Sequence, residues 1–227
     1  MRLTGRDRRL VRDLALSRLL SRDQLLALGY FASATRLNTR LRELRAAGYV
    51  RALETPFFGQ YLYAPGRAAA GIVGERVEPL LKGGGPSPQF VRHALAVTDA
   101  RVALLARGCA DWRFEVQLWR RFAWAGRDWE VRPDGMVRRD GIPLLLEADM
   151  GHADPKKFAA KLLGYRAFAE SGEAARWLGG GEITVLTLTA GPLRRSRLER
   201  LAPESSDVRF EFRTFEEFGV RVAGGWS

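Results

Sequence analysis

Two short stretches hold the side chains most able to do chemistry: Arg132-Pro133-Asp134-Gly135 and Glu147-Ala148-Asp149. Between them, Asp140-Gly141 is the signature of a two-residue hairpin loop. With that loop, Arg139 pairs with Ile142, and counting along both strands brings Asp134 opposite Glu147, with Asp149 two residues on along the same face. Like charges so placed repel, so three carboxylates there need a cation, a shared proton or a salt-bridge partner. Oxygen-only ligands suit Mg²⁺ or Mn²⁺, ions that activate water and stabilise a phosphodiester transition state. Glu115, polar on an expected strand, would complete a metal set of Asp134, Glu147, Asp149 and Glu115. In the competing reading, Arg132, opposite Asp149 in the same register, neutralises the cluster as a salt bridge.

The elements that must hold these residues follow from periodicity. Pro88 to Arg107 is helical, with Pro88 fit for a first turn and Gly108 at the end. Phe114, Val116 and Leu118 alternate with Glu115, Gln117 and Trp119, the pattern of a half-buried strand. Gly135 to Arg139 and Ile142 to Ala148 are two further strands, Pro155 to Glu170 is an amphipathic helix, and Ile183 to Thr189 is a β-branched strand. The order is helix, three strands, helix, strand.

Upstream lies a second kind of pattern. Leu3, Leu10, Val11 and Leu14 recur at helical spacing, Ser21-Arg22-Asp23-Gln24 is a capping box opening a short helix, and Ser33 caps a third helix ending at Gly48. Tyr49 to Leu53 and Gln60 to Tyr63 are strand-like runs flanking Thr55-Pro56-Phe57-Phe58-Gly59, a hairpin or wing. With Leu37, Leu41 and Leu44 turned inward at about 100° per residue, the third helix presents polar residues outward. Thr35, Arg36 and Thr39 are placed to reach base edges, and Arg40, Arg42, Gln60 and Tyr61 to grip phosphates, as in a winged helix-turn-helix on double-stranded DNA.

Charge supports that assignment. The chain of 227 residues carries a formal net charge of +11. Residues 1–82 hold 15 Lys and Arg against 7 Asp and Glu, a net of +8, whereas the remainder holds 22 against 19. The excess is local, which a genome-wide preference for arginine would not produce. The run Lys82-Gly83-Gly84-Gly85-Pro86-Ser87-Pro88 marks a boundary, giving a DNA-binding domain over 1–82, a linker over 83–88 and a second domain over 89–227. One cysteine, Cys109, excludes an internal disulfide framework and suits a reducing cytoplasm. No apolar stretch is long enough to span a bilayer, and the N-terminus is too charged for a signal peptide. His93 and His152 have no partner at metal-ligand spacing, and no Walker pattern follows either glycine run, so zinc and nucleotide-hydrolysis chemistry are set aside. The basic and aromatic run Trp119 to Trp124 is read as hairpin packing rather than as a stacking platform for bases.

The helix-strand-strand-strand-helix-strand order, with Pro133-Asp134 leading the second strand and Glu147-Ala148-Asp149 ending the third, resembles the PD-(D/E)XK nuclease fold. The chain over about residues 5–190 resembles the replication-relaxation family of DNA-binding proteins of bacterial plasmids and mobile elements. That second match is carried by His93-Ala-Leu-Ala-Val97, Arg132-Pro133-Asp134, Leu146-Glu147-Ala148-Asp149 and Lys161-Leu-Leu-Gly-Tyr165. The resemblance implies an α+β chain of two domains, a winged helix-turn-helix followed by an α-βββ-α-β restriction-endonuclease-like core. It implies that Asp134 and Glu147 are the metal-binding acids. Position 149, where the nuclease pattern has lysine, is aspartate; Lys157 or Lys161 would have to reach back, and Lys161 is taken as the catalytic replacement. Three functions remain open. The first is a double-stranded-DNA-binding protein of replication or maintenance control with an inactive nuclease-like domain. The others are a Mg²⁺-dependent endonuclease, and a winged-helix transcription regulator whose second domain forms a homodimer. Its expected location is the cytoplasm, on nucleoid or plasmid.

Overall fold

The computed structural model describes residues 2–53, 61–73, 87–152 and 154–220. It is an α+β protein that divides into two compact units between Val102 and Ala103. Most of the expected linker, and the hairpin tip with Gln60, lie outside the described residues.

The first unit begins with helix α1 (Gly5–Leu16), strand β1 (Leu20–Ser21), helix α2 (Arg22–Ala27) and helix α3 (Ala34–Ala46). Each helix starts where the sequence offers a cap. Thr4 Oγ1 accepts the Asp7 N–H at 3.2 Å while Asp7 Oδ2 accepts the Thr4 N–H at 2.7 Å. Ser21 and Gln24 make the same reciprocal pair at 3.1 and 3.0 Å, and Ser33 Oγ accepts the Arg36 N–H at 3.4 Å. Each such cap satisfies amide donors that a helix start would otherwise leave open, a gain of about 1 kcal/mol. Strands β2 (Val50–Leu53) and β3 (Leu62–Pro65) pair antiparallel with Leu53 opposite Leu62, and β1 adds to the other edge of β3. A single 3₁₀ turn, Arg67–Ala69, precedes helix α4 (Ala70–Val73). Leu10, Val11, Leu14, Leu25, Leu37, Leu41, Leu44 and Val50 form the core, each burial stabilising the unit by roughly 2 kcal/mol.

Helix α5 (Pro88–Ala106) follows, and its first turns pack Val91, Ala94 and Leu95 against Leu19 and Leu62. Gln24 secures this docking. Its side-chain amide donates to the Leu95 carbonyl at 2.9 Å and to Asp99 Oδ1 at 2.7 Å.

The second unit is built on a mixed five-stranded sheet. Its members are β4 (Ala110–Phe114), β7 (Gly135–Arg139), β8 (Ile142–Asp149), β9 (Ile183–Thr189) and β10 (Val208–Thr214), in the order β10-β9-β8-β7-β4. Strands β8, β9 and β10 run parallel, and β7 and β4 antiparallel. The β7–β8 register is the expected one: Arg139 pairs with Ile142 and Gly135 with Leu146. It is set by Asp140 (φ 53°) and Gly141 (φ 84°), both left-handed as a two-residue hairpin loop requires. Helices α7 (Pro155–Glu170) and α8 (Glu173–Leu178) connect β8 to β9, and α9 (Pro192–Glu199) connects β9 to β10. Tyr165 and Phe168 of α7 pack with Leu145 and Val185 on one sheet face.

The alternation from Phe114 to Leu118 did not make a strand. Strand β4 ends at Phe114, and residues Glu115–Leu118 form a single helical turn, α6. The Phe114 N–H donates to Gln117 Oε1 at 3.0 Å, which turns the chain, and burial then follows helical spacing: Phe114 and Leu118 are buried while Val116 is 45% exposed. The basic and aromatic run beyond it forms the hairpin β5 (Arg120–Trp124) and β6 (Arg127–Val131), with Phe122 and Val131 in the core. Gly164 of α7 lies so close to this hairpin that a methyl group there would meet the Glu130 carbonyl at 3.1 Å.

Candidate functional site

Glu147 lies on β8, the central strand, and is almost wholly buried. Sheet alternation points it at α7, where Lys161 and Tyr165 stand one turn apart on the same helix face. Both reach it: the Lys161 ammonium donates to Glu147 Oε2 and the Tyr165 hydroxyl to Glu147 Oε1. Lys161 therefore occupies the position expected of it, while Lys157 is exposed. Tyr165 was not singled out as a site residue, although its four-residue spacing from Lys161 was the available signal.

Asp134 stands at the start of β7. Its N–H donates to the Leu146 carbonyl at 2.9 Å, and its Oδ2 accepts the Ala148 N–H at 2.8 Å, closing the end of the hairpin beside Glu147. The local electrostatics follow from burial. Loss of water pushes the Glu147 carboxyl up, the negative charge of Asp134 adds to this, and Lys161 and Tyr165 oppose it. Burial would depress the Lys161 ammonium, but Glu147 and Asp134 outweigh it and hold the group above the usual lysine range. Tyr165, buried against a carboxylate, is pushed well above the usual phenol value and remains a donor.

The other two expected metal ligands are engaged elsewhere. Asp149 is buried and held by Arg194 of α9 in a two-pronged pair, Nε to Oδ2 at 2.8 Å and Nη2 to Oδ1 at 3.1 Å, with the Thr189 hydroxyl donating to Oδ2 at 3.0 Å. Arg194 thus plays the neutralising part expected of Arg132. Arg132 instead pairs with Glu115 at 2.7 Å, because the turn α6 carries Glu115 toward it. Among the described residues, no group of three or more His, Cys, Asp or Glu is arranged to hold a metal ion. In this arrangement both Glu147 oxygens accept from donors, the Lys161 ammonium and the Tyr165 phenol, and both Asp149 oxygens accept from the Arg194 guanidinium.

On the first unit, Thr35, Arg36, Thr39 and Arg42 of α3 are all exposed, over the buried stripe Leu37, Leu41 and Leu44. Tyr61 is 67% exposed beside the start of β3, with Arg22 above its ring at 6.0 Å. Arg40 departs from the expected role. It makes a two-pronged pair with the buried Asp7, Nε to Oδ1 at 2.9 Å and Nη2 to Oδ2 at 2.6 Å, and also pairs with Glu43. Its position on the flank of the helix turns it into the domain rather than toward a phosphate.

These features define an α+β chain that carries an exposed polar helix on one unit and a buried carboxylate–lysine–tyrosine centre on the other. The chain belongs to the replication-relaxation family, whose profile matches residues 11–184. Membership points to a role in DNA replication or maintenance. No curated protein matches the sequence. Among solved structures, a protein from Vibrio cholerae described as VC1899 is 12% identical, with a TM-score of 0.32 over 93% of this chain. The chain spans 54% of that structure. Among the described residues, no helix is long and apolar enough to cross a membrane.

Proposed function

We propose that this chain is a double-stranded-DNA-binding protein of replication or maintenance control. Its first unit acts as a winged helix, and its second as a nuclease-like domain that does not cleave. The observation that carries the reading is the polar face of α3, where Thr35, Arg36, Thr39 and Arg42 stand exposed on a helix fixed from behind by three buried leucines. The antiparallel pair β2–β3 follows it, in the position of a wing. A helix so presented can enter the major groove, its first residues reaching base edges and its later arginine the backbone. Titration of a labelled duplex pool tests the reading: wild-type protein binds, and Arg36→Ala combined with Arg42→Ala weakens binding at least tenfold at constant salt.

In the second unit the Lys161 ammonium supplies the positive charge that the nuclease fold would obtain from a divalent ion. The Glu147 carboxylate is thereby balanced without a metal, and both of its oxygens are engaged by donors. The endonuclease reading is favoured by one observation, that Lys161 does reach Glu147. It is opposed by the occupancy of both Glu147 oxygens and by the engagement of Asp149 with Arg194.

A further inference from the structure

The first helix carries a charge pattern that the reading of α3 does not use. Arg6, Arg8, Arg9 and Arg12 are all exposed, and at 100° per residue they spread over a continuous arc of about 160° on the side of α1 away from Leu10, Val11 and Leu14. The two acids of the same helix do not offset them. Asp7 is buried and bound by Arg40, and Asp13 is bound by Arg101 at 2.8 Å and by the Tyr30 hydroxyl at 2.6 Å. Both acids are thus neutralised by arginines from other helices, and the outward face is left purely cationic. Among the described residues, Arg6, Arg8, Arg9 and Arg12 have no acidic partner. Arg6 is pinned with its guanidinium over the Phe31 ring at 4.2 Å, which keeps it extended at the surface.

We infer that this face of α1 is a second phosphate-binding surface for double-stranded DNA, continuous with α3. The continuity is structural. Arg40 of α3 bridges to Asp7 and also donates to the Arg2 carbonyl at 3.2 Å, so the start of α1 is tied to the flank of the reading helix. Four cations on a rigid helix match the closely spaced negative charges of duplex backbone, and each neutralised phosphate releases condensed counterions. The inference rests on the DNA-binding reading and adds to it: α3 would supply position and sequence preference, and α1 sequence-independent affinity.

The test is the slope of log K against log salt for a 30-base-pair duplex. Arg8→Ala combined with Arg12→Ala should lower the slope by about two units on every duplex sequence. The double lysine variant, Arg8→Lys with Arg12→Lys, should restore it, because the charge is retained. A thermal melt matching wild type confirms that these exposed replacements leave the fold intact. An unchanged slope for the alanine pair, with a lowered slope for Arg42→Ala, would overturn the inference while leaving the role of α3 standing. Absence of duplex binding by the wild type would overturn both. Loss of binding to anionic phosphatidylglycerol vesicles, with duplex binding intact, would assign the face to a membrane and contradict the inference.

Discussion

Lys161 and Glu147, fourteen residues apart on α7 and β8, meet as an ion pair with the carboxylate buried and the lysine half-buried, and the remaining carboxylate oxygen is taken by Tyr165. The pair closes the centre of the second unit in the way a cation would, and it makes that centre dependent on one helix face.

Removing the cation should therefore destabilise the unit. Lys161→Ala leaves Glu147 buried without its counter-charge, at a cost of about 2 kcal/mol, less than for a fully buried pair because 35% of the lysine side chain is exposed. The loss should depend on pH. Burial already raises the Glu147 carboxyl, and without Lys161 it rises further. A carboxyl raised in the folded state costs stability where it must ionise, at pH above its folded value, and costs nothing below its unfolded value. Urea midpoints should thus show a large deficit for Lys161→Ala at pH 8 that shrinks on descending to pH 5. An equal deficit at both values would contradict this.

Tyr165→Phe removes a single buried hydroxyl and leaves the packing of the ring in place. The lost charge-assisted hydrogen bond should cost about 2 kcal/mol in urea denaturation. A variant as stable as wild type would show that Glu147 does not need the phenol.

Asp7 provides a test at the acid end. Burial alone would raise its carboxyl, but hydrogen bonds from Arg40 and Thr4 outweigh this and hold it at about 2, below the ordinary 3.8. A depressed carboxyl contributes stability that is complete above its unfolded value and is lost as pH falls from about 3.8 toward 2. Wild type should lose stability across that interval with a slope of roughly 1.4 kcal/mol per pH unit beyond that of Asp7→Asn. Arg40→Ala, which strands the carboxylate, should cost about 3 kcal/mol at neutral pH.

The absence of cleavage is equally testable. Supercoiled plasmid incubated with the protein and Mg²⁺ or Mn²⁺ should stay supercoiled. Nicking that Asp134→Ala abolishes would show that the Lys161–Glu147 pair opens to admit a metal.

Much of this arrangement was legible in the sequence because it is local. The Ser21 and Ser33 caps, the leucine stripe of α3, the span of α7 and the Asp140-Gly141 register all depend on residues within a few positions of one another. What was not legible depends on distance or on competing periods. Phe114 and Leu118 satisfy both a two-residue and a four-residue repeat, and the Gln117 side chain decides between them. Arg194 reaches Asp149 across 45 residues, and Arg40 reaches Asp7 across 33, so neither pair leaves a trace in local spacing. Glu147 and Asp149 lie on the expected strand, Asp134 just ahead of its own, and Lys161 reaches Glu147 as its spacing allows; Glu115 lies on a helical turn instead of a strand, and Tyr165 and Arg194 were not expected as partners.

The role of α3 as the DNA-reading helix is tested by the salt dependence of duplex binding by wild type, Arg42→Ala and Arg40→Ala. We expect log K to fall linearly with log salt, the slope to drop by about one unit for Arg42→Ala, and no drop for folded Arg40→Ala, whose guanidinium is spent on Asp7. A slope unchanged by Arg42→Ala, or lowered by Arg40→Ala alone, would contradict it.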